Sequence, residues 1–338
     1  MAKKLYSTRE PAKVKHTLDK NDQYKPICLI THNFQKYSNS TPKYVLKGKR
    51  RIINELLRKH VPDICLLQEI NNASLFKQNV EKDNFMRYFV AEGPTFTSGN
   101  YRESYPLIFN PTTIHIKPTA HMEDGRIIND NEVITFSIKE EKLPRPNILY
   151  KVMIPTCRYN LRPAHKYTGN TIFDDDYIAR HKNLEHRKDM KYMTFGIIPV
   201  HTSPSLSISK QCDSISTFFQ QSNEELCTLA GGDFYAEKGS KYFMRVNEDN
   251  IVLPNEPTNY RQEQGEIKSG QRADMFMAPN SVKHTEAKVV TIPELGIHKG
   301  EDYLHHKIDH TPVKATMFIP YMPETRSHTV EEGKQDDI

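Results

Sequence analysis

Several short apolar runs of the sequence end on an acidic, amide or imidazole side chain. One polar residue at the end of a strand is commonly only the start of a turn, so a single example would carry little information. Here the ends carry residues of mixed chemical type, and binding and catalytic residues gather where strands end. Asn33, Glu69, His201 and Asp233 each follow such a run, and Asp309 and His310 precede the run TPVKATMFI.

Together these residue types suit the metal-assisted hydrolysis of a phosphate ester. The oxygens of carboxylates and amides are the hard ligands that Mg²⁺ prefers, and this ion bridges to substrate phosphates. Two imidazoles beside them can act as general base and acid, or donate hydrogen bonds to phosphate oxygens. The cysteines do not pair with histidines as in a zinc site, and the sequence has no GxxxxGK[ST] nucleotide-binding loop.

The elements that must position these residues are mostly strands. Short apolar runs rich in β-branched residues recur along the chain, which predicts many strands packed face to face. Helical spacing of apolar residues predicts a helix over 49–60 and, less regularly, another over 205–222. A strand, a helix and a strand open the chain and strands dominate after them, so an α/β sandwich is favoured over a doubly wound parallel sheet.

The helix predicted over 49–60 has a basic face opposite its apolar one. Such a run of charges is most often a solvated helix face, and the attraction of a phosphate backbone is the alternative. The basic side chains on and beside this helix are Lys47, Lys49, Arg50, Arg51, Arg58 and Lys59.

The composition sets broad limits on the class of protein. The 338 residues include 47 basic and 42 acidic side chains, and the net charge of +5 fits an anionic partner without requiring one. No apolar run approaches the roughly 18–20 residues of a membrane span, and the N-terminus lacks the apolar region of a secretory signal. Five scattered cysteines do not make a disulfide scaffold. We therefore expect a cytoplasmic or nuclear protein, with a non-classical secretion route as the alternative.

The chain is expected to form one domain over residues 26–320. A basic arm over 1–25 precedes it and an acidic polar tail over 321–338 follows it. The proline-rich and basic segment 138–192 is interpreted as an insertion between two core strands, with a strand of its own at 148–154. A surface excursion and a binding site for a protein partner are the two alternatives for this insertion.

Six short motifs follow one another in order over about residues 29–315. They are His32-Asn33-Phe34-Gln35, Pro62 to Glu69, Tyr101-x-Glu103-x-Tyr105, HTSPS at 201–205, Asp274 in RADMFM, and IDHTPV at 308–313. This ordered set resembles the endonuclease/exonuclease/phosphatase superfamily, and in particular its deoxyribonuclease I-like branch. The first motif corresponds to Trp-Asn-x-Gln in that family. The fold implied by the resemblance is a four-layer α/β/β/α sandwich of two mixed β-sheets flanked by helices.

The resemblance also implies a metal site and a phosphate contact. Glu69 would bind the essential Mg²⁺, for which Mn²⁺ can substitute, and Asn33 and Asp309 would line the same site. Asp233 would orient or deprotonate the attacking water, or bind metal. Tyr101 would contact the scissile phosphate.

The same resemblance implies two catalytic imidazoles, each with a carboxylate partner. His201 would be held by Glu103, and His310 would be held by Asp274. A carboxylate partner fixes the tautomer of an imidazole and raises its basicity, which is the usual reason for such pairing.

Two departures from the family pattern affect the groups that hold phosphate. The family sequence Gly-Asp-Phe-Asn ends here on Tyr235, and the loss of an oriented donor would cost roughly 10²–10³ in rate. The family arginine ahead of EVITFSI is replaced by residues 129–131, which are Asn, Asp and Asn. Arg126 is the nearest base, and Arg158 or Arg162 from the insertion are the other candidates for this contact.

Three functions therefore stand open. The first is a Mg²⁺-dependent endonuclease that hydrolyses DNA, which the Tyr-x-Glu-x-Tyr and HTSPS motifs favour. The second is a phosphatase of phosphoinositides or another small phosphoester on the same fold. The third is a binding protein or effector that has kept the fold and lost the chemistry, which Tyr235 and the missing arginine favour. DNA or another phosphoester is the expected partner.

Overall fold

The computed structural model of the chain describes residues 24–85, 87–93, 95–98, 101–116, 122–123, 126–127, 133–134, 147–155, 192–202, 207–235, 250–263, 266–296 and 308–320. The helices in these ranges are α1 (Lys43–His60), α2 (Ala73–Asp83) and α3 (Ile208–Glu225), and a 3₁₀ turn spans Pro293–Leu295. The strands are β1 (Tyr24–Tyr37), β2 (Ile64–Ile70), β3 (Phe89–Ala91), β4 (Thr95–Ser98), β5 (Tyr101–Ser104), β6 (Leu107–Phe109), β7 (His115–Ile116), β8 (Met122–Glu123), β9 (Arg126–Ile127), β10 (Val133–Ile134), β11 (Leu149–Pro155), β12 (Tyr192–His201), β13 (Thr228–Asp233), β14 (Ile251–Val252), β15 (Tyr260–Glu263), β16 (Glu266–Ser269), β17 (Asp274–Met277), β18 (Lys283–His284), β19 (Lys288–Val289) and β20 (Val313–Pro320).

The described strands form two large mixed sheets and two small hairpins. The nine-stranded sheet has the order β18-β20-β1-β2-β5-β4, with β19 on β20 and β6 joining β2 to β3. The seven-stranded sheet has the order β10-β11-β12-β13-β17-β14, with β7 on β11. Each sheet contains one central parallel pair, β1 with β2 and β12 with β13, flanked by antiparallel neighbours.

Successive residues of the central strands face two different apolar cores, as the period of two in a strand requires. Leu29 of β1 and Ile197 of β12 lie in the core between the two sheets. Ile30 packs against α1 and α2 on the outer face of the nine-stranded sheet. Ile198 packs against α3 on the outer face of the seven-stranded sheet. The layers are therefore helix, sheet, sheet and helix, and the predicted four-layer sandwich is confirmed.

The helix predicted over 49–60 begins earlier, at Lys43, because Val45 extends its buried apolar stripe by one turn. It ends before Val61, which has a left-handed backbone with φ of 43°. The helix predicted over 205–222 is α3, which starts after Ser207 because the Ser207 hydroxyl accepts a hydrogen bond from the backbone of Lys210. None of the three described helices has the length and the apolar character needed to cross a membrane.

The segment interpreted as an insertion contributes a strand to the seven-stranded sheet. Strand β11, at Leu149–Pro155, pairs with β12 from Tyr150 to Pro155 and also pairs with β7 and β10. The core of the protein therefore includes this part of the segment. Residues 156–191 lie outside the described part of the chain, as do residues 1–23 and 321–338.

The basic face of α1 differs from a solvated helix surface at one position. Lys49 is fully buried, so for this residue the expectation of a solvated charge is wrong. The other basic residues of the helix lie at or near the surface, and three of them form ion pairs on the protein itself. Arg50 pairs with Asp83, and both Arg58 and Lys59 pair with Glu55.

Candidate active site

The polar residues that end the central strands meet at one edge of the sandwich. In the parallel pair of the seven-stranded sheet, His201 lies beside Asp233, and Asp233 lies opposite Asp274 of the antiparallel neighbour. Asn33 of the nine-stranded sheet reaches across and donates a hydrogen bond from Nδ2 to Oδ2 of Asp233, at 3.1 Å. The two sheets therefore bring their strand ends to a single site.

His201 is held by the carboxylate predicted for it. Nδ1 of His201 lies 2.5 Å from Oε1 of Glu103, and both side chains are buried. The same oxygen of Glu103 accepts a hydrogen bond from the backbone N–H of Glu69, at 3.0 Å. The ring of His201 is thereby oriented with its Nε2 toward the site, 3.6 Å from Oε1 of Glu69.

His310 is likewise held by its predicted partner. Nδ1 of His310 lies 2.7 Å from Oδ2 of Asp274, and both residues are almost fully buried. Burial alone lowers the pKa of His310, but the charges of Asp274 and Asp233 outweigh it and raise this pKa to about 10. In the described structure, His310 is therefore favoured in its charged form at neutral pH.

Thr258 supports this second pair. Its hydroxyl donates to Oδ2 of Asp274, at 2.7 Å, and accepts hydrogen bonds from the backbone N–H groups of Ala273 and Asp274, each at 3.0 Å. The backbone carbonyl of Thr258 accepts from the N–H of Thr311, at 2.7 Å, which ties the His310 loop to the same residue. No sequence pattern identified Thr258, because a lone threonine in a polar segment has no distinguishing spacing.

Asp233 lies between the two imidazoles. Its Oδ2 is 3.6 Å from Nε2 of His310 and 3.9 Å from Nε2 of His201. Burial raises the pKa of Asp233 to about 6, and its negative neighbour Asp274 adds to this effect. Its other oxygen, Oδ1, is buried without a hydrogen-bond partner among the described residues. A buried carboxylate oxygen of this kind is costly unless a cation or a water binds it.

Glycine at position 232 permits the approach of β13 to β12 just before Asp233. Gly232 has φ of 154°, and a Cβ atom added there would lie 1.9 Å from the carbonyl oxygen of Val200. Only glycine fits this contact, since any side chain would collide with backbone. Gly232 therefore allows β13 to approach β12 closely, which places Asp233 beside His201 at the sheet edge.

The three predicted metal ligands lie close to one another through hydrogen bonds. Nδ2 of Asn33 donates to Oε1 of Glu69, at 3.2 Å. Gln35 connects Asn33 to Asp309. Its backbone N–H donates to Oδ1 of Asn33, at 2.9 Å, and its Nε2 donates to Oδ2 of Asp309, at 3.2 Å. Glu69 and Asp309 are both partly exposed, in contrast to the buried Asn33.

This donor set fits a hard divalent cation. The carboxylates of Glu69 and Asp309 offer oxygens, and the Oδ1 of Asp233 is a buried atom that a cation or its water would satisfy. Asn33 turns its Nδ2 toward Glu69 and Asp233, so its amide acts here as a hydrogen-bond donor to these carboxylates. Burial raises the pKa of Asp309, and the charge of Glu69 contributes to this shift. A bound cation would offset that repulsion. Among the described residues, no three His, Cys, Asp or Glu side chains converge as a preassembled cluster, so water would complete the ligation.

Tyr235 stands at the rim of the site in a left-handed backbone conformation, with φ of 48°. Its ring packs edge-on against the ring of His310, with centroids 6.0 Å apart. Burial and the nearby carboxylates, Asp233 first among them, raise the pKa of the Tyr235 phenol above its usual range. The hydroxyl therefore keeps its proton and is a donor.

Three predicted phosphate contacts cannot be placed by their side chains. The backbones of Tyr101 and Arg126 lie in β5 and β9, and their side chains are outside the described part of the structure. Arg158 lies in 156–191 and is also outside it. The described contacts bring together the two histidine pairs, Asp233, Asn33 and Glu69, and Gln35 links Asp309 to them.

The arrangement has the groups needed for proton transfer at a phosphate. Two imidazoles present Nε2 atoms toward one buried carboxylate, and each ring is fixed at Nδ1 by a second carboxylate. Rings fixed in this way can give and take protons at a stated atom without reorganising.

Comparison with protein-family profiles and with curated sequences finds no match. Solved structures are similar in fold. An endonuclease/exonuclease/phosphatase family protein from Bacteroides thetaiotaomicron has a TM-score of 0.52 and 11% identity, covering 88% of this chain and 100% of that one. D. rerio TDP2 complexed with a single-strand DNA product has a TM-score of 0.50 and 11% identity, covering 86% and 98%. The mannosyl-6-phosphatase Bt3783 of B. thetaiotaomicron has a TM-score of 0.50 and 11% identity, covering 86% and 99%. The chain therefore has the fold of these endonuclease/exonuclease/phosphatase family proteins.

Proposed function

We propose that the chain is a metal-dependent phosphodiesterase that hydrolyses DNA as an endonuclease. The observation that carries this proposal is the position of Asp233 between the Nε2 atoms of His310 and His201, at 3.6 and 3.9 Å. A base between two donors is the arrangement that an in-line attack of water on phosphorus needs.

The metal site consists of Glu69, Asn33 and Asp309 in this proposal, with Mg²⁺ as the ion and Mn²⁺ as a substitute. When bound, the ion polarises a phosphoryl oxygen and neutralises developing charge. Support comes from the carboxylate oxygens of Glu69 and Asp309 and from Oδ1 of Asp233, which has no hydrogen-bond partner among the described residues.

The protein groups then divide the proton transfers. Asp233 takes a proton from the attacking water as the water oxygen bonds to phosphorus. One of the two rings, His201 or His310, gives its Nε2 proton to the leaving oxygen as the bond from phosphorus to that oxygen breaks. The other ring donates a hydrogen bond to a phosphoryl oxygen. Glu103 and Asp274 act as positioning residues, because each fixes a ring at Nδ1.

DNA is the proposed substrate because the Tyr101-x-Glu103-x-Tyr105 segment resembles the deoxyribonuclease I-like branch. The similar structures include one protein with a DNA product bound and one that acts as a mannosyl-6-phosphatase. A small phosphoester, such as a phosphoinositide, is therefore the second candidate. Tyr235, whose ring packs edge-on against His310 where the family has asparagine, is the observation that favours the third candidate, a binding protein without turnover.

A paired assay on the purified chain separates these candidates. Supercoiled plasmid should be nicked in Mg²⁺ or Mn²⁺, and EDTA should stop the reaction. His201→Ala should abolish nicking, whereas His284→Ala should not, because His284 is an exposed residue of β18. Phosphate release from phosphoinositide vesicles and from mannose 6-phosphate is measured in parallel.

Each result points to one candidate. Release of phosphate without nicking would replace the nuclease by a phosphatase on the same site. A folded protein that turns over neither substrate, with retained DNA or phosphoinositide binding, would establish the non-catalytic effector.

A further inference from the structure

The end of β1 bends in a way that ordinary strands do not. The pairing of β1 with β2 loses its register between Asn33 and Tyr37. Within this bulge, Gln35 and Lys36 have φ values of 42° and 63°, in the left-handed region that residues with a Cβ rarely adopt. Such a conformation persists only where the surroundings hold it, and it is often found beside a functional site.

A buried ammonium group stabilises this bulge by hydrogen bonds to its backbone. Nζ of Lys49, in the second turn of α1, donates to the carbonyl oxygens of Phe34 and Gln35, each at 2.5 Å. Lys49 is fully buried, in contrast to Lys47, which is exposed on the same helix. A charged side chain is rarely fully buried unless its hydrogen bonds are satisfied, so this lysine has a specific structural task.

The bulge in turn positions two of the three proposed metal ligands. The backbone N–H of Gln35 donates to Oδ1 of Asn33, which leaves Nδ2 of Asn33 to donate to Oε1 of Glu69 and so to position this carboxylate. The side chain of Gln35 donates to Oδ2 of Asp309, a residue 274 positions later in the chain. If the backbone at Gln35 adopted a right-handed conformation, its N–H and its side chain would no longer point at Asn33 and Asp309. Both hydrogen bonds would then be lost.

We infer that Lys49 and Gln35 are positioning residues of the metal site: Lys49 holds the left-handed bulge, and Gln35 orients the carboxylate of Asp309 directly and that of Glu69 through Asn33. This inference rests on the proposed function, because it takes these side chains as ligands. Hydrogen-bonding partners of metal ligands commonly change metal affinity by about 10–100-fold when removed.

The test measures Mn²⁺ binding to the full chain without substrate, by the loss of the free-ion electron paramagnetic resonance signal. Lys49→Met keeps the length and removes the donors, and Lys47→Met is the matched control on the same helix. Gln35→Leu removes the side-chain donor while Lys49 stays in place. Lys49→Arg restores a cation at the bulge.

We expect Lys49→Met and Gln35→Leu to weaken Mn²⁺ binding by about 10-fold or more, with Lys49→Arg intermediate and Lys47→Met unchanged. A purely structural role would lower the melting temperature of Lys49→Met and leave its Mn²⁺ affinity alone, and that result would overturn the inference. If Lys49→Met does not fold, unchanged affinity in Gln35→Leu overturns it. A wild-type chain that binds no Mn²⁺ overturns the metal part of the proposed function, and this inference with it.

Discussion

Oε1 of Glu103 lies 2.5 Å from Nδ1 of His201, and this contact joins the two sheets of the sandwich. Glu103 belongs to β5 of the nine-stranded sheet, whereas His201 ends β12 of the seven-stranded sheet. The same oxygen also accepts the backbone N–H of Glu69, whose φ of 60° is strained. One carboxylate therefore fixes a proposed catalytic ring and the backbone of a proposed metal ligand.

Glu103→Gln should lower kcat/KM by about 10²–10⁴-fold, since loss of the charge on a ring-orienting carboxylate has effects of that order in hydrolases. The amide is nearly isosteric, so the melting temperature should change little. Glu224→Gln, on the exposed face of α3, is the matched control. Activity within a few-fold of the wild type would show that the Glu103 charge has no role in turnover.

Thr258→Val should destabilise the fold and slow turnover together. The substitution keeps the shape but leaves Oδ2 of Asp274 and two backbone N–H groups without the Thr258 hydroxyl. We expect a loss of about 1–3 kcal/mol in the free energy of unfolding, measured by urea denaturation. Thr258→Ser keeps the hydroxyl and should recover both stability and rate. A stable, fully active Thr258→Val protein contradicts this role.

His32 should make the fold sensitive to mild acid. Burial lowers its pKa to about 3 in the folded protein, against about 6.5 in the unfolded chain. Between these values the unfolded state binds more protons, so the stability present above pH 6.5 falls as the pH drops toward 3. The slope is about 1 kcal/mol per pH unit over most of that window.

His32→Gln removes this titration and can keep a donor to the carbonyl oxygen of His310, which Nε2 of His32 contacts at 3.0 Å. Urea denaturation of both proteins from pH 7 to pH 4, in EDTA, measures the difference. The variant should lose less stability on acidification than the wild type. Parallel curves would mean that His32 does not control acid stability.

Tyr235→Asn should raise the rate of hydrolysis by about 10-fold or more. An oriented donor at the reacting phosphate is worth roughly 10²–10³ in rate, and the asparagine restores the residue of the family motif. Asparagine also tolerates the left-handed backbone at this position, where φ is 48°. Initial rates of plasmid nicking measure the effect, and Tyr235→Gln separates the donor from the backbone preference. A rate that falls would indicate that the tyrosine hydroxyl itself serves the reaction.

Much of the fold was predictable from local patterns. The short apolar runs that begin at Ile27 and Ile64 lie in β1 and β2, because a strand buried on both faces reads as a continuous hydrophobic run. Helix α1 was predictable from the helical spacing of its apolar residues, and only its first residue differs from the prediction. The order of the motifs predicted the superfamily fold, and the similar solved structures confirm it.

The sequence by itself determined which residue types stand at the strand ends, because each lies directly beside an apolar run of its own. Only the tertiary structure decided which of them meet. Asn33 and Asp233 are 200 positions apart, and Glu103 and His201 are 98 apart, so no periodicity relates them. The roles of Thr258 and Lys49 could not be predicted from the sequence, because their partners are also distant in the chain. The helical periodicity places Lys49 among the charged residues of α1. Only the packing of the β1 bulge against it buries its ammonium group and provides the carbonyl oxygen of Phe34 as an acceptor.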